Sequence, residues 1–128
     1  MQIKSYQDLD VWKMSKGLAR DVYLLTANFP ADERFGLTQQ VRRAVVSVMS
    51  NIAEGSGRRS SQEFCRFVNI AFGSLCEVES QLLLAIDLKY IDALAVEKIL
   101  QTADRISKML YSLHRSLQSS LKPSTEYA

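Results

Sequence analysis

The stretch SSQEFCRFVNIAFGSLCEVESQLLLAIDL, residues 60 to 88, decides the fold. At about 100° per residue, Phe64, Phe67, Val68, Ala71, Leu75, Val78, Leu82 and Ile86 fall on one helical face. Cys65, Phe72, Cys76 and Leu83 form a second stripe roughly 100° away, so this helix reads as the most buried of the chain. Its start is marked by Ser60 and Glu63, which have the spacing of a capping box.

Thr38 is a candidate N-cap for a preceding helix that ends near Glu54, with Gly55 placed to stop it in the left-handed conformation. Val41, Val45, Val48 and Ile52 make its main stripe; Leu37 and Ala44 widen it on one side, Val46, Met49 and Ala53 on the other. That arc exceeds half the circumference, more than a peripheral bundle helix needs, and points to a contact with another subunit. Before it, Val11, Met14, Leu18, Val22 and Leu25 define a first helix that stops ahead of Pro30, with Lys13, Lys16 and Arg20 on the opposite face. After it, Asp92 is a candidate N-cap for a last helix whose single apolar face runs from Val96 to Leu117 and which Pro123 closes.

The pattern predicts an all-α, antiparallel, up-down-up-down four-helix bundle with helices at about 8–27, 38–54, 61–88 and 93–121. Residues 1–122 form one domain, and 123–128 read as a flexible C-terminal tail. At 128 residues and 47% hydrophobic, the chain can bury a sizeable core without crosslinks. Cys65 and Cys76, roughly 16 Å apart along one helix, cannot pair and are expected to be reduced core residues. The N-terminal MQIKSYQDLD lacks the apolar stretch of a secretion signal, and no run of about eighteen apolar residues is evident, so a cytoplasmic protein off the membrane is expected.

The formal charge is only +2, from 16 basic and 14 acidic residues, but it is unevenly spread. Residues 1–66 hold ten basic and seven acidic side chains, whereas 67–128 hold six and seven. Any polyanion-binding surface should therefore draw on Lys13, Lys16, Arg20, Arg42, Arg43, Arg58, Arg59 and Arg66. Arg58 and Arg59 stand at a helix start, where free N–H groups also attract phosphate.

Chemistry is otherwise sparse. The one histidine, His114, has no Glu-x-x-His, Cys-x-x-Cys or zinc-like spacing beside it, so no metal, cofactor or catalytic residue is expected and the chain reads as a non-enzyme. EGSGRRS lacks phosphate-loop spacing and follows a helix. Asn51, Glu54, Gly73, Ser74 and Glu77 read as helix-contact or oligomer-interface residues that fix register, Gly73 because a mid-helix glycine costs about 1 kcal/mol relative to alanine.

Four blocks in order, YQDLDVWKMSKGLARDVY, FPADERFGLTQQVRRA, NIAEGSGR and FVNIAFGSLCEVESQL, resemble the bacterial four-helix-bundle proteins related to those encoded by intervening sequences in 23S ribosomal RNA genes. The likeness runs from about Tyr6 to Tyr90. It implies a homopentameric ring or barrel without known catalytic chemistry. The family is in turn similar to accessory variability proteins of retroelements, strongly basic pentamers that are thought to bind nucleic acid. Five copies of this chain would carry only about +10, five times +2.

Two functions follow as expectations. The first is a non-enzymatic oligomeric binding protein that holds structured RNA, ribosomal RNA or another polyanion. The second is a structural scaffold for a protein partner without nucleic-acid binding.

Overall fold

The computed structural model describes residues 5–120, and four helices make up most of them: α1 (Asp10–Thr26), α2 (Leu37–Ser56), α3 (Ser61–Asp87) and α4 (Ala93–Ser119). No strand occurs among the described residues. The apolar stripes meet as their periodicity requires. Leu18 and Val22 of α1, Val41, Val45, Val48 and Ile52 of α2, Leu75, Val78 and Leu82 of α3, and Ile106 and Leu110 of α4 share one core and are all but excluded from solvent. Burial of each such side chain is worth about 1.5–3 kcal/mol.

Cross-helix contacts set the directions. Ser47 and Ser74 hydroxyls lie 2.8 Å apart, and Gln81 reaches Gln40 at 3.5 Å, so numbers rise on α2 as they fall on α3. Ser120 meets Ser61 at 3.0 Å, and the Cys65 thiol lies 3.9 Å from the His114 carbonyl, which makes α3 and α4 antiparallel too. The end of α1 lies against the start of α4, where Asp21, Leu24 and Leu25 share a shallow hollow with Ala95, Lys98 and Ile99. The order is up-down-up-down.

Helix ends differ from the sequence reading, and each difference has a local cause. α1 begins at Asp10 because Tyr6–Asp8 forms a separate 3-10 turn, capped reciprocally by Ser5 and Asp8. Thr38 is not the N-cap of α2; the helix begins at Leu37, whose N–H is taken at 2.8 Å by the Glu33 carboxylate. Gly55 does not end α2 in a left-handed conformation: the helix continues to Ser56, and Gly57 closes it at φ −86°. Asp92 occupies the N-cap of α4, but its side chain makes no capping bond. At the start of α3, the Ser60 hydroxyl does accept the Glu63 N–H, at 3.1 Å. Pro123 and the tail lie outside the described residues.

Two expectations about burial are corrected. Cys65 is buried, its thiol 3.9 Å from the His114 carbonyl of α4, and desolvation pushes that thiol above the usual range, but Cys76, farther along the same stripe, is exposed. The wide arc of α2 is largely covered by the chain itself: Leu37, Val41, Ala44, Val45, Val48 and Ile52 are buried, Met49 and Ala53 half-buried, and only Val46 is exposed, at 37%. The larger uncovered apolar surface lies where α3 meets α4, at Phe72, Leu83, Leu94 and Tyr111, with Ile70, Leu84 and Leu88 exposed farther round α3. Helix α3 is long and apolar enough to cross a membrane by length and composition alone; here it is a bundle helix packed between α2 and α4.

Candidate functional site

The end of the bundle that joins α1 to α2 and α3 to α4 carries its own small core. Phe29, Leu37 and Ala85 are buried together, with Tyr90 and Ile91 packed against them, and the Phe29 and Tyr90 rings lie 5.6 Å apart. Tyr90 is set by the end of α3: Lys89 takes a left-handed φ of 64°, and the Tyr90 N–H returns to the Ala85 carbonyl at 3.0 Å.

Glu33 ties the two connections together. Its carboxylate accepts the Leu37 N–H at 2.8 Å and the Tyr90 hydroxyl at 2.7 Å. These bonds hold the Glu33 carboxyl below its usual range, the backbone bond most strongly, and the same contact pushes the Tyr90 phenol up. A Cβ at Gly36 would come 2.6 Å from Glu33 Oε1, so glycine leaves the carboxylate its path. The clamp fixes the loop that carries Arg34 and Phe35.

That loop borders a surface hollow of about 430 Å³, lined by Tyr23, Arg34, Phe35, Arg42 and Arg43 together with Thr38, Gln39 and Val46. No carboxylate lines it. Among the described residues, none of its three guanidinium groups lies within 4.0 Å of an acidic group. Arg42 is held in place: its Nε donates to the Thr26 hydroxyl at 2.8 Å, an Nη donates to the Tyr23 carbonyl at 3.1 Å, and the guanidinium stacks over the Tyr23 ring at 4.6 Å. Arg34 lies over Phe35 at 5.5 Å, and Phe35 itself is 81% exposed.

The eight basic residues singled out from the sequence thus do not form one cluster. Arg42 and Arg43 join Arg34, which sequence reasoning counted but did not single out. Lys13, Lys16 and Arg20 are exposed on α1, with Lys16 5.5 Å over the Trp12 ring. Arg58, Arg59 and Arg66 sit at the opposite end of α2, sixteen residues or roughly 24 Å from Arg42 to Arg58. There Arg58 is engaged by Glu54 at 2.7 Å and Glu63 at 3.9 Å, and Arg58 and Arg66 both stack on Phe67, at 4.8 and 5.1 Å. The two carboxylates offset part of that group's positive charge, whereas no carboxylate lines the hollow at the other end.

The five register residues also divide. Asn51 donates to the Ser47 carbonyl and hydroxyl at 2.8 and 3.0 Å, and Ser47 meets Ser74, so Asn51 and Ser74 belong to one polar contact between α2 and α3. Ser47 was missed, although it stands one turn before Asn51. Glu54 turns to Arg58 instead. Nothing lies within 4 Å of a Cβ built at Gly73. The close approach belongs to Gly55, where a Cβ would fall 2.7 Å from Phe67 Cβ and 2.9 Å from Phe64 Cδ1. Glu77 is exposed beside Phe35, Gln39, Gln40 and Arg43. Among the described residues, no group of His, Cys, Asp and Glu is placed to hold a metal ion.

The four helices and their shared core define the class of protein, a four-helix bundle. A family profile for the 23S rRNA-intervening sequence protein matches residues 7–112, and the chain belongs to that family. It is similar to the crystal structure of a protein with unknown function from the S23 ribosomal protein family of Bacteroides thetaiotaomicron, at 28% identity and a TM-score of 0.73, over 81% of this chain and 97% of that one. No curated protein matches the chain.

Proposed function

We propose that this protein is a non-enzymatic, oligomeric binding protein that holds RNA through its phosphates, with Arg34, Arg42 and Arg43 as the principal contacts. The hollow they line carries the reading: three guanidinium groups free of acidic partners converge beside two aromatic rings, Tyr23 and Phe35. Arginine forks suit phosphate geometry, and aromatic faces suit bases, so the combination fits nucleic acid better than a simple anion. Lys13, Lys16 and Arg20 extend the positive surface along α1, while Asp21 of the same helix lines the hollow against α4 instead. The ribosomal family name of the structural relative makes ribosomal RNA the first ligand to try.

The oligomeric part rests on the apolar side of α3 and α4. Phe72 and Tyr111 border one hollow and Leu83 and Leu94 another, and large exposed apolar patches of this kind mark association surfaces. The pentamer that the family resemblance implies, in the cytoplasm, is the assembly to test. The same apolar side supports the second reading, a scaffold for a protein partner; recovery of a defined protein and no RNA in a pull-down would select it.

Fluorescence anisotropy of labelled structured RNA tests the first reading. Affinity should fall steeply with salt, and Arg43→Glu should weaken binding uniformly across RNA sequences. Binding that is absent at low ionic strength, or independent of salt, would overturn it.

A further inference from the structure

Phe35, Gln39 and Arg43 are four residues apart and line two hollows at once. One is the arginine hollow with Arg34 and Arg42. The other, of about 480 Å³, runs along the α2–α3 side and is completed by Gln40, Ala44, Ser47 and Glu77. The three residues are therefore a ridge between a basic trough and one that offers an amide and a carboxylate.

We infer that this ridge seats an unpaired guanine nucleotide of an RNA strand, with its phosphates on the arginine side, its base stacked on Phe35 and its edge turned to Glu77. The inference rests on the phosphate-binding reading above and specifies what the same site takes. An 81% exposed phenylalanine beside unpaired arginines is the arrangement by which proteins take single-stranded bases, whose free π-faces stack on aromatic rings. A duplex presents neither a free face nor a free Watson–Crick edge there, so the strand is unpaired.

Glu77 selects the base. Among the described residues its carboxylate has no cation within 4.0 Å and accepts no hydrogen bond from the protein, so both oxygens are open to a ligand. An ionised carboxylate only accepts, through two oxygens side by side. Guanine alone presents two adjacent donors on its Watson–Crick edge, N1–H and the 2-amino group. Adenine and cytosine present one amino donor beside an acceptor, and uracil one N–H between two carbonyls. The Gln40 amide, in the same trough, can complement the adjacent guanine O6.

Anisotropy with labelled hexauridylate and its single central G, A or C substitutions, on the full chain, tests this. The G-containing strand should bind about tenfold more tightly than the others, the scale of one two-bond base contact. Phe35→Ala should lower affinity about tenfold for every strand while leaving the salt slope unchanged. Glu77→Gln should abolish the preference for G without weakening hexauridylate. Both side chains are on the surface, so the core is spared. Equal affinities with no effect of Phe35→Ala, while binding stays salt-dependent, would overturn this inference and leave phosphate binding standing. Sensitivity to Phe35→Ala without preference for G would overturn the guanine assignment. No binding of any RNA at low salt would overturn both readings. A fall in particle mass in the Phe35→Ala variant would make the ridge a subunit contact and overturn the inference.

Discussion

A methyl group at Gly55 would press on Phe67 Cβ and Phe64 Cδ1 at 2.7 and 2.9 Å, and Cβ is the part of a phenylalanine that cannot swing away. Overpacking costs about 1–3 kcal/mol, whereas the helix preference of alanine returns up to about 1 kcal/mol. Gly55→Ala should therefore lower Tm by several degrees in thermal denaturation followed by circular dichroism. Gly73→Ala should do the reverse, because nothing stands within 4 Å of the new carbon. A gain of about 0.5–1 kcal/mol is expected, and a loss would mean that another subunit closes on that position. Both glycines are conspicuous in the sequence, but only three-dimensional proximity tells which one lets helices approach. Gly55 looked like a terminator because it precedes Ser56 and Gly57, and the helix instead continues through it to pack against α3.

The helices themselves were legible because their apolar residues repeat at the helical period, and all four were placed correctly. Their ends were less so, because capping partners come from outside the helix: Glu33, not Thr38, satisfies the start of α2. The sign of its pH effect follows from that bond. Held below its ordinary value of 4.5, the Glu33 carboxyl contributes stability that is present above that value and lost as pH falls through the lowered one. Tyr90, held above its ordinary value of 10.0, contributes stability present below that value and lost as pH rises through the raised one. Urea midpoints followed against pH should thus be insensitive to this pair between those limits and fall outside them, with Glu33→Gln flattening the acid limb. Lys89 holds a left-handed conformation that normally suits glycine, so Lys89→Gly should stabilise the fold by about 1 kcal/mol, measured by the urea midpoint.

At the scale of the whole molecule, the sequence conveys how many basic residues there are but not which helices bring them together. Arg42 and Arg43 meet Arg34 through the loop clamped by Glu33, whereas Arg58, with Glu54 and Glu63 beside it, lies at the other end of α2. The surplus apolar surface was likewise expected on α2 and is found on the α3–α4 side, because α1 and α3 cover most of the α2 arc. Light scattering should give about five times the 14.5 kDa of one chain, and Tyr111→Glu with Leu83→Glu should return it toward one chain. The salt dependence of RNA binding tests phosphate recognition by this hollow most directly. With Arg34, Arg42 and Arg43 neutralising phosphates, the logarithm of affinity should fall linearly with the logarithm of salt, and Arg34→Glu with Arg43→Glu should make that line shallower by about one unit or more. Arg42 is spared because it also ties α2 to Tyr23 and Thr26 of α1. Absent binding at low salt, or a slope that the double variant leaves unchanged, would contradict the account.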